Sequence, residues 1–403
     1  MVITQKILRN VSLSAHPAGC RRSVEEQVAW VKAHANKALS THYPPTGDRA
    51  LPKRVLVLGG STGYGLSSRI VAAFAGGADT ISVSFEREPS ETKTASAGWY
   101  NTNVFEELAQ AEGLKAFSLF GDAFSAQIKA ETTALIEAEL GQVDLIVYSL
   151  ASPMRIDPKT GATYRSVLKP IGEPFTALSV GLESDIVSEA TIEPAEGEQC
   201  EETVHVMGGE DWILWLEYLK ERGLLAPECR TVAYSYIGPR LTYPVYREGT
   251  IGRAKEHLER SAKELDALLA PLGGRAFVSV NKALVTRASA VIPIVPLYMA
   301  LLYRVMKEQG VHEQCTEQIY RLFTTILYAG GPIPTDSEGR LRVDDWEMRA
   351  DIQREVERRW HLQREGEPIR EGDLEGVRTE YDRIHGFGYA DIDYSEDVDP
   401  RVV

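Results

Sequence analysis

The sequence predicts an α/β protein built on a doubly wound parallel sheet with helices on both faces. Three observations carry the prediction. Short apolar, β-branched runs alternate with helix-forming runs from residue 54 to residue 150. Buried strands alternating with helices imply a parallel sheet covered on both sides. A glycine cluster sits between the first strand and the first helix, and the same rhythm resumes after residue 209.

The elements follow in order. "RVLVLG" (54–59) is an apolar run ending in glycine, and "LSSRIVAAFA" (66–75) has helical character. "TISVSFE" (80–86) is a strand, and "NVFEELAQAEG" (103–113) is a helix that Gly113 stops. "AFSLFGD" (116–122) and "VDLIVYSL" (143–150) are strands flanking the helix "FSAQIKAETTALIEAELG" (124–141). Residues 152–208 are rich in Pro, Gly, Thr and Glu, with only short β-like pieces, and read as an insertion above the sheet. Then come a helix at 211–223, the strand "RTVAYSY" (230–236), a helix over 250–270 and the strand "RAFVSVN" (275–281). Residues 311–328 and 342–360 have helical patterns, and the last forty residues are acidic and expected to wrap the surface. The domain reading is an N-terminal segment packing on the core (1–50) and a first nucleotide-binding half (51–151). An inserted substrate-covering region (152–208), a second half (209–330) and a C-terminal tail (331–403) complete it.

Composition excludes several classes. The 403 residues are 43% hydrophobic and 25% charged, ordinary for a globular protein. A net charge of -14 argues against a nucleic-acid partner, which needs a basic surface. Cys20, Cys200, Cys229 and Cys315 are scattered without metal-ligand spacing. A disulfide framework or a metal site is therefore not expected, and a reduced cytoplasmic setting is. The N-terminus lacks the apolar run of a signal peptide. The most apolar stretch, 288–303, is shorter than the ~20 residues of a membrane span. Two prolines interrupt it, so it reads as a buried helix with a bent entrance.

"VLVLGGSTGYGLSSRI" (55–70) places Gly59, Gly60, Gly63 and Gly65 between strand and helix. Glycine permits the tight turn and close backbone approach to a pyrophosphate, and the helix N-terminus offers free N–H groups. This is a Rossmann-like arrangement, with a ligand-free glycine turn as the plain alternative. There is no GK[ST], which disfavours an ATP loop. Glu86 lies 21 residues after Gly65, near the offset of a ribose-binding acid. A carboxylate there favours NADH and repels the 2'-phosphate of NADPH, whereas the adjacent Arg87 could pair with it. A solvated strand end is the other reading of Glu86. Asp122 and Ala123 end the third strand, and Leu150 and Ala151 follow the fourth, where the cofactor crevice of such sheets lies.

"VYREGTIGRAKEHLE" (245–259) holds Tyr246 and Lys255 nine positions apart. On one continuous helix they would face opposite ways. Gly249 and Gly252 argue against such a helix, and Thr250 is the expected N-cap. Tyr246 then sits on a loop and can turn toward a helical Lys255. A tyrosine titrates near pKa ~10 and is a proton donor at neutral pH, strengthened by a nearby ammonium. The plain alternative is a loop tyrosine and an exposed lysine. Val232, Tyr234 and Tyr236 share one strand face, with Tyr236 nearest the crevice. Tyr234 and Tyr243 are expected to be packing or surface residues.

Together, "GGSTGYGLSSRI", "VSFERE", "GDAFS", "VYSLASP", "VMGGEDW", "AYSYIGP", the Tyr-x8-Lys pair and "KALVTRASAVIPIVPLY" form a pattern spread along nearly the whole chain. It resembles the trans-2-enoyl-CoA / enoyl-acyl-carrier-protein reductases of the FabV/TER type. The resemblance implies NADH-dependent reduction of the double bond of an enoyl thioester. It implies that Gly59, Gly60, Ser61, Thr62, Gly63 and Tyr64 bind the pyrophosphate side and that Phe85 and Glu86 hold the adenosine end. Asp122, Ala123, Leu150, Ala151, Lys255, Leu284, Val285 and Thr286 complete the NAD site. Tyr236 contacts substrate and Tyr246 donates the proton, while segment 288–303 walls the acyl pocket. The expected substrate is an enoyl-CoA or enoyl-acyl-carrier-protein, and the expected state is a monomer. A carbonyl reductase of short-chain dehydrogenase type and a non-catalytic NAD-sensing module are the alternative readings.

Overall fold

Seven parallel strands form the central sheet of the computed structural model, which describes residues 1–8, 11–36, 43–44, 50–287, 289, 292 and 294–402. They are β1 (Arg54–Leu58), β2 (Asp79–Ser84), β3 (Ala116–Phe120) and β4 (Val143–Tyr148). β5 (Leu225–Ser235), β6 (Arg275–Val280) and the short edge strand β7 (Leu341–Arg342) follow. Their spatial order is β7-β6-β5-β4-β1-β2-β3. The order reverses between β1 and β4, so a crevice opens there at the carboxyl ends of the strands.

Side chains alternate across the sheet and feed two cores. Val55, Val57, Leu145 and Val147 pack against α1 (Pro17–Asn36), α2 (Gly63–Gly76), α3 (Ala97–Ala111) and α9 (Cys315–Arg321). Leu56, Leu58 and Ile146 pack on the other side against α4 (Ala126–Glu139), α6 (Glu210–Glu221) and α7 (Thr250–Leu269). Each such fully buried aliphatic contributes about 1.5–3 kcal/mol of transfer free energy. A third cluster lies over the carboxyl edge. There α8 (Val295–Glu308) meets α10 (Ala350–Trp360), α11 (Leu374–Ile384) and the hairpin of Phe175–Val180 and Val187–Ile192.

Several expectations need correction. The region 152–208 is not only β-like: besides two antiparallel hairpins it holds helix α5 (Gln199–Met207). That helix is polar and buries only Thr203 and Val206, so its apolar periodicity is faint. Residues 342–360 are not one helix. Arg342 extends the sheet edge, a turn holds 345–348, and α10 begins at Ala350. Within 311–328 the α-helix covers Cys315–Arg321 and continues as a π-helical turn over Leu322–Leu327. The last forty residues do more than wrap the surface, because α11 buries Leu374, Val377 and Tyr381. Residues 288, 290, 291 and 293 of the apolar segment lie outside the described residues. From Val295 onward the segment belongs to α8, which has proline at its start and whose residues 295–303 are all buried. No described helix is long and apolar enough to cross a membrane.

Candidate active site

The turn from β1 to α2 has the geometry of a phosphate loop. Gly59 has φ +88°, and a Cβ on it would lie 2.3 Å from the Ser149 carbonyl oxygen at the end of β4. A Cβ on Gly65 would lie 2.0 Å from the Gly59 oxygen. Only glycine permits strand, turn and helix to approach this closely. Thr62 precedes α2 without a side-chain cap bond, and no acidic residue stands in the first turn. The helix N-terminus therefore presents free N–H groups and an uncompensated positive dipole end, which suits the pyrophosphate of NADH. Thr286 closes the loop from the opposite side, its methyl 3.6 Å from where a Gly63 Cβ would stand. Tyr64 turns away from the loop: its hydroxyl lies 2.8 Å from the Lys282 carbonyl oxygen and 3.0 Å from Gln318 Oε1.

The residues expected at the adenosine end lie at two strand ends. Phe85 is 81% exposed, an uncovered aromatic face at the tip of β2. Glu86 is not a solvated strand end. Its side chain is 3% exposed, accepts from Ser61 Oγ at 2.7 Å and pairs with Arg287 Nη1 at 2.8 Å. Arg87 is directed elsewhere, donating to the Thr94 carbonyl. Asp122 caps its own turn by accepting from the Phe124 N–H at 3.0 Å. The Ala123 carbonyl is gripped by the buried Lys129 ammonium and the Trp215 indole. Lys129 in turn pairs with buried Asp211 at 2.6 Å, which explains part of the "GGEDW" motif as a clamp on this loop. Leu150 lies against Gly59, and Ala151 is exposed at the mouth.

Tyr236 and Tyr246 meet edge to face, with ring centroids 5.0 Å apart at 82°. Tyr246 sits in a turn ahead of α7, as the loop reading expects. One detail differs. Gly249, not Thr250, is the N-cap; Thr250 is the first helical residue, and its hydroxyl donates to the Val167 carbonyl of the inserted region. Both glycines permit close backbone approach. A Cβ on Gly252 would lie 2.5 Å from the Tyr246 carbonyl oxygen, and one on Gly249 would lie 2.4 Å from that of Val245. Tyr234 is an interior packing residue, its hydroxyl 2.6 Å from Ser68 Oγ. Tyr243 is half-buried.

Lys255 does not bond Tyr246 among the described residues. Its ammonium donates to the Tyr234 carbonyl at 3.2 Å, and burial pulls its pKa down to about 8. Burial, with the charge of Glu347 second, raises the Tyr246 hydroxyl above its ordinary value. Lys255 is thus engaged with the backbone, and desolvation sets the direction of the Tyr246 shift.

Sequence reasoning missed Glu347, in the turn after β7. It is fully buried, and its Oε1 accepts from the Tyr298 hydroxyl at 2.7 Å and lies 3.3 Å from the Tyr236 hydroxyl. Its Oε2 accepts from the Ala283 N–H at 2.7 Å, beside the Leu284-Val285-Thr286 segment. Leu284 and Val285 are buried there, and the Val285 N–H donates to the Tyr303 hydroxyl. Nothing local in the sequence marks a glutamate whose partners come from three other elements. No group of three or more His, Cys, Asp and Glu among the described residues could hold a metal ion.

Comparison with known proteins agrees with this geometry. A family model described as the NAD(P)H binding domain of trans-2-enoyl-CoA reductase matches residues 2–91, and the trans-2-enoyl-CoA reductase catalytic region matches residues 93–328. A third, described as the enoyl reductase FAD binding domain, matches residues 335–398. The residues of that last stretch do not fit a flavin. Asp373 occupies the N-terminus of α11 and Asp351 stands in the first turn of α10, where a pyrophosphate would meet like charge. The inner faces of both helices are filled by packing in the cluster around α8. The chain is 50% identical over 403 residues to an enoyl-[acyl-carrier-protein] reductase [NADH] of Flavobacterium psychrophilum, covering 100% of this chain and 98% of that one. It is 48% identical over 402 residues to a trans-2-enoyl-CoA reductase [NADH] of Ruminiclostridium cellulolyticum, with the same coverage. The crystal structure of Treponema denticola trans-2-enoyl-CoA reductase in complex with NAD matches with a TM-score of 0.94 at 46% identity, covering 100% of both chains. These matches establish that the chain belongs to the trans-2-enoyl-CoA reductase family.

Proposed function

We propose that the chain uses NADH to reduce the trans-2 double bond of enoyl thioesters, with the Tyr236–Tyr246 pair as the acid side of the site. The observation that carries this reading is the edge-to-face contact of those two tyrosines at the end of β5. When bound, NADH supplies the hydride taken up at the β carbon. The remaining work belongs to side chains. Negative charge develops on the thioester oxygen, and hydroxyl donors fixed in a dry site stabilise it strongly. Tyr246 and Tyr236 are those donors, and Tyr246 holds the proton that is passed on. Its raised pKa keeps it protonated at neutral pH. Lys255 holds the nicotinamide ribose. Gly59 through Tyr64 form the pyrophosphate loop, Tyr64 through its backbone. Phe85 and Glu86 take the adenosine, followed by Asp122, Ala123, Leu150 and Ala151, and then by Leu284, Val285 and Thr286.

α8 and the hairpin of residues 175–192 wall the acyl chain, their apolar side chains forming one cluster. The two halves at 51–151 and 209–330 act as one nucleotide-binding domain, and 152–208 covers the substrate. Residues 1–50 pack on the core, and 331–403 brace α8. We place the protein in the cytoplasm as a monomer. Its four cysteines are free, in keeping with a reducing compartment.

The test is NADH oxidation with crotonyl-CoA, alongside an enoyl-acyl-carrier-protein and, for the carbonyl-reductase alternative, acetoacetyl-CoA. Tyr246→Phe should lower kcat by ~10²–10⁴-fold, the range of general acid catalysis. Retention of near wild-type activity would remove Tyr246 from the mechanism. Faster turnover of acetoacetyl-CoA than of crotonyl-CoA would replace the reaction itself.

A further inference from the structure

Glu347 joins three parts of the candidate site that are distant in sequence. Through Ala283 it touches the segment leading to Thr286, through Tyr298 it touches the acyl-side helix α8, and through Tyr236 it reaches the substrate tyrosine. The three contacts differ in kind. Tyr298 is fully committed: its hydroxyl accepts from Gln353 Nε2 at 3.2 Å and donates to Glu347 at 2.7 Å. The Tyr236 contact is 3.3 Å, long for an O–H···O bond, and is the weakest of the three. Tyr236 is therefore the partner free to turn.

We propose that Glu347 is a positioning residue that sets, by its protonation, whether Tyr236 aims its proton into the candidate site. The inference rests on the reduction proposed above. An ionised carboxylate only accepts hydrogen bonds, so it draws the Tyr236 proton toward itself and away from substrate. A neutral carboxyl has a proton of its own on Oε1. It donates that proton to the Tyr236 oxygen, still accepts from Tyr298 and Ala283, and leaves the Tyr236 proton free for the thioester oxygen.

The surroundings place this switch in the neutral range. Burial pushes the Glu347 pKa up to about 7, opposed first by the charge of Lys282. The groups facing it are Tyr64 on α2, Tyr236 after β5, Tyr246 before α7, Lys282 after β6, Tyr298 on α8 and Asp344 in its own loop. Lys282 is the cation among them and favours the ionised form. Its own ammonium is buried, donates to the Ala283 carbonyl and lies over the Tyr303 ring. Asp344 favours the neutral form. The sign follows: Tyr236 donates to substrate below the Glu347 titration and is withdrawn above it.

The experiment is the pH profile of kcat for crotonyl-CoA and NADH in wild type, E347Q and Y236F. Wild type should lose at least about tenfold in a descending limb near neutral pH, since one donor to a developing oxyanion carries ~10²-fold in rate. E347Q cannot ionise; its amide oxygen can accept from Ala283 and its N–H can donate to Tyr236, at the cost of the bond that the carboxyl accepts from Tyr298. It should lack that limb over the range in which wild type loses rate, whatever the height of its plateau. Y236F has no proton to redirect and should be slow without the neutral limb. A merely structural glutamate would change rate or stability and leave the limb in place. The proposal is overturned if wild type lacks the limb, or if either variant keeps it. Should E347Q fail to fold, the Y236F profile decides. Wild-type turnover of crotonyl-CoA checks the reaction itself, so failure of the switch and failure of the reaction are distinguishable.

Discussion

Lys255 is the residue whose charge state bears most directly on the proposed ribose contact. Its pKa of about 8 means that the ammonium proposed to hold the ribose is lost as pH rises through that value. A hydrogen bond to a charged group contributes about 1.5–3 kcal/mol, roughly 10- to 150-fold in affinity. KM for NADH should therefore rise above about pH 8 in wild type, whereas Lys255→Met should show a high KM that no longer changes with pH. A pH-dependent KM surviving in that variant would assign the titration to another group. Tyr246, Lys255 and Tyr236 could be singled out as candidates because their residue types and spacing carry chemistry on their own. Glu347 could not, standing 111 residues from Tyr236 with a role that exists only through burial. The same holds for Arg287, which follows Thr286 in sequence yet pairs with Glu86 from 201 residues away.

The turn between β1 and α2 is the element in which backbone geometry is most constrained. Gly65→Ala would force its Cβ against the Gly59 oxygen, 2.0 Å away, and the turn would have to open. Local backbone strain costs about 1–3 kcal/mol, so the Kd for NADH should rise roughly 5- to 150-fold. A fluorescence titration of NADH checks this, and unchanged affinity would show that the turn yields without disturbing the cofactor site. Strands and long helices could be read from sequence because their apolar periodicity is local. Boundaries shifted where a cap was involved. The cap of α7 falls on Gly249, because the Thr250 N–H and hydroxyl bond the Lys169 and Val167 carbonyls of the inserted region, contacts that spacing alone does not announce. Helix α5 and the break at 343–349 were missed for a related reason: tertiary contacts, not apolar stripes, define them.

At the scale of the whole molecule, the C-terminal region completes the site instead of trailing from it. Its helices bury Ile352, Val356, Leu374, Val377 and Tyr381 around α8, and its turn supplies Glu347. Each of those five side chains contributes about 1.5–3 kcal/mol, a sum comparable with the whole stability of a typical domain, about 5–15 kcal/mol. Deleting residues 335–403 should leave a chain that neither melts cooperatively nor oxidises NADH. A soluble, active truncation would refute this integration. By itself the sequence determined the parallel α/β class, the glycine loop at the first strand–helix turn and the Tyr-x8-Lys pair. Each of these is a local pattern, set by backbone sterics or by side-chain chemistry over a few turns of chain. Only the tertiary structure decided that Glu86 is buried against Arg287, that Lys255 faces the Tyr234 carbonyl and that Glu347 joins Tyr236 to α8. Those outcomes depend on desolvation and on contacts between residues far apart in sequence, which no local pattern encodes.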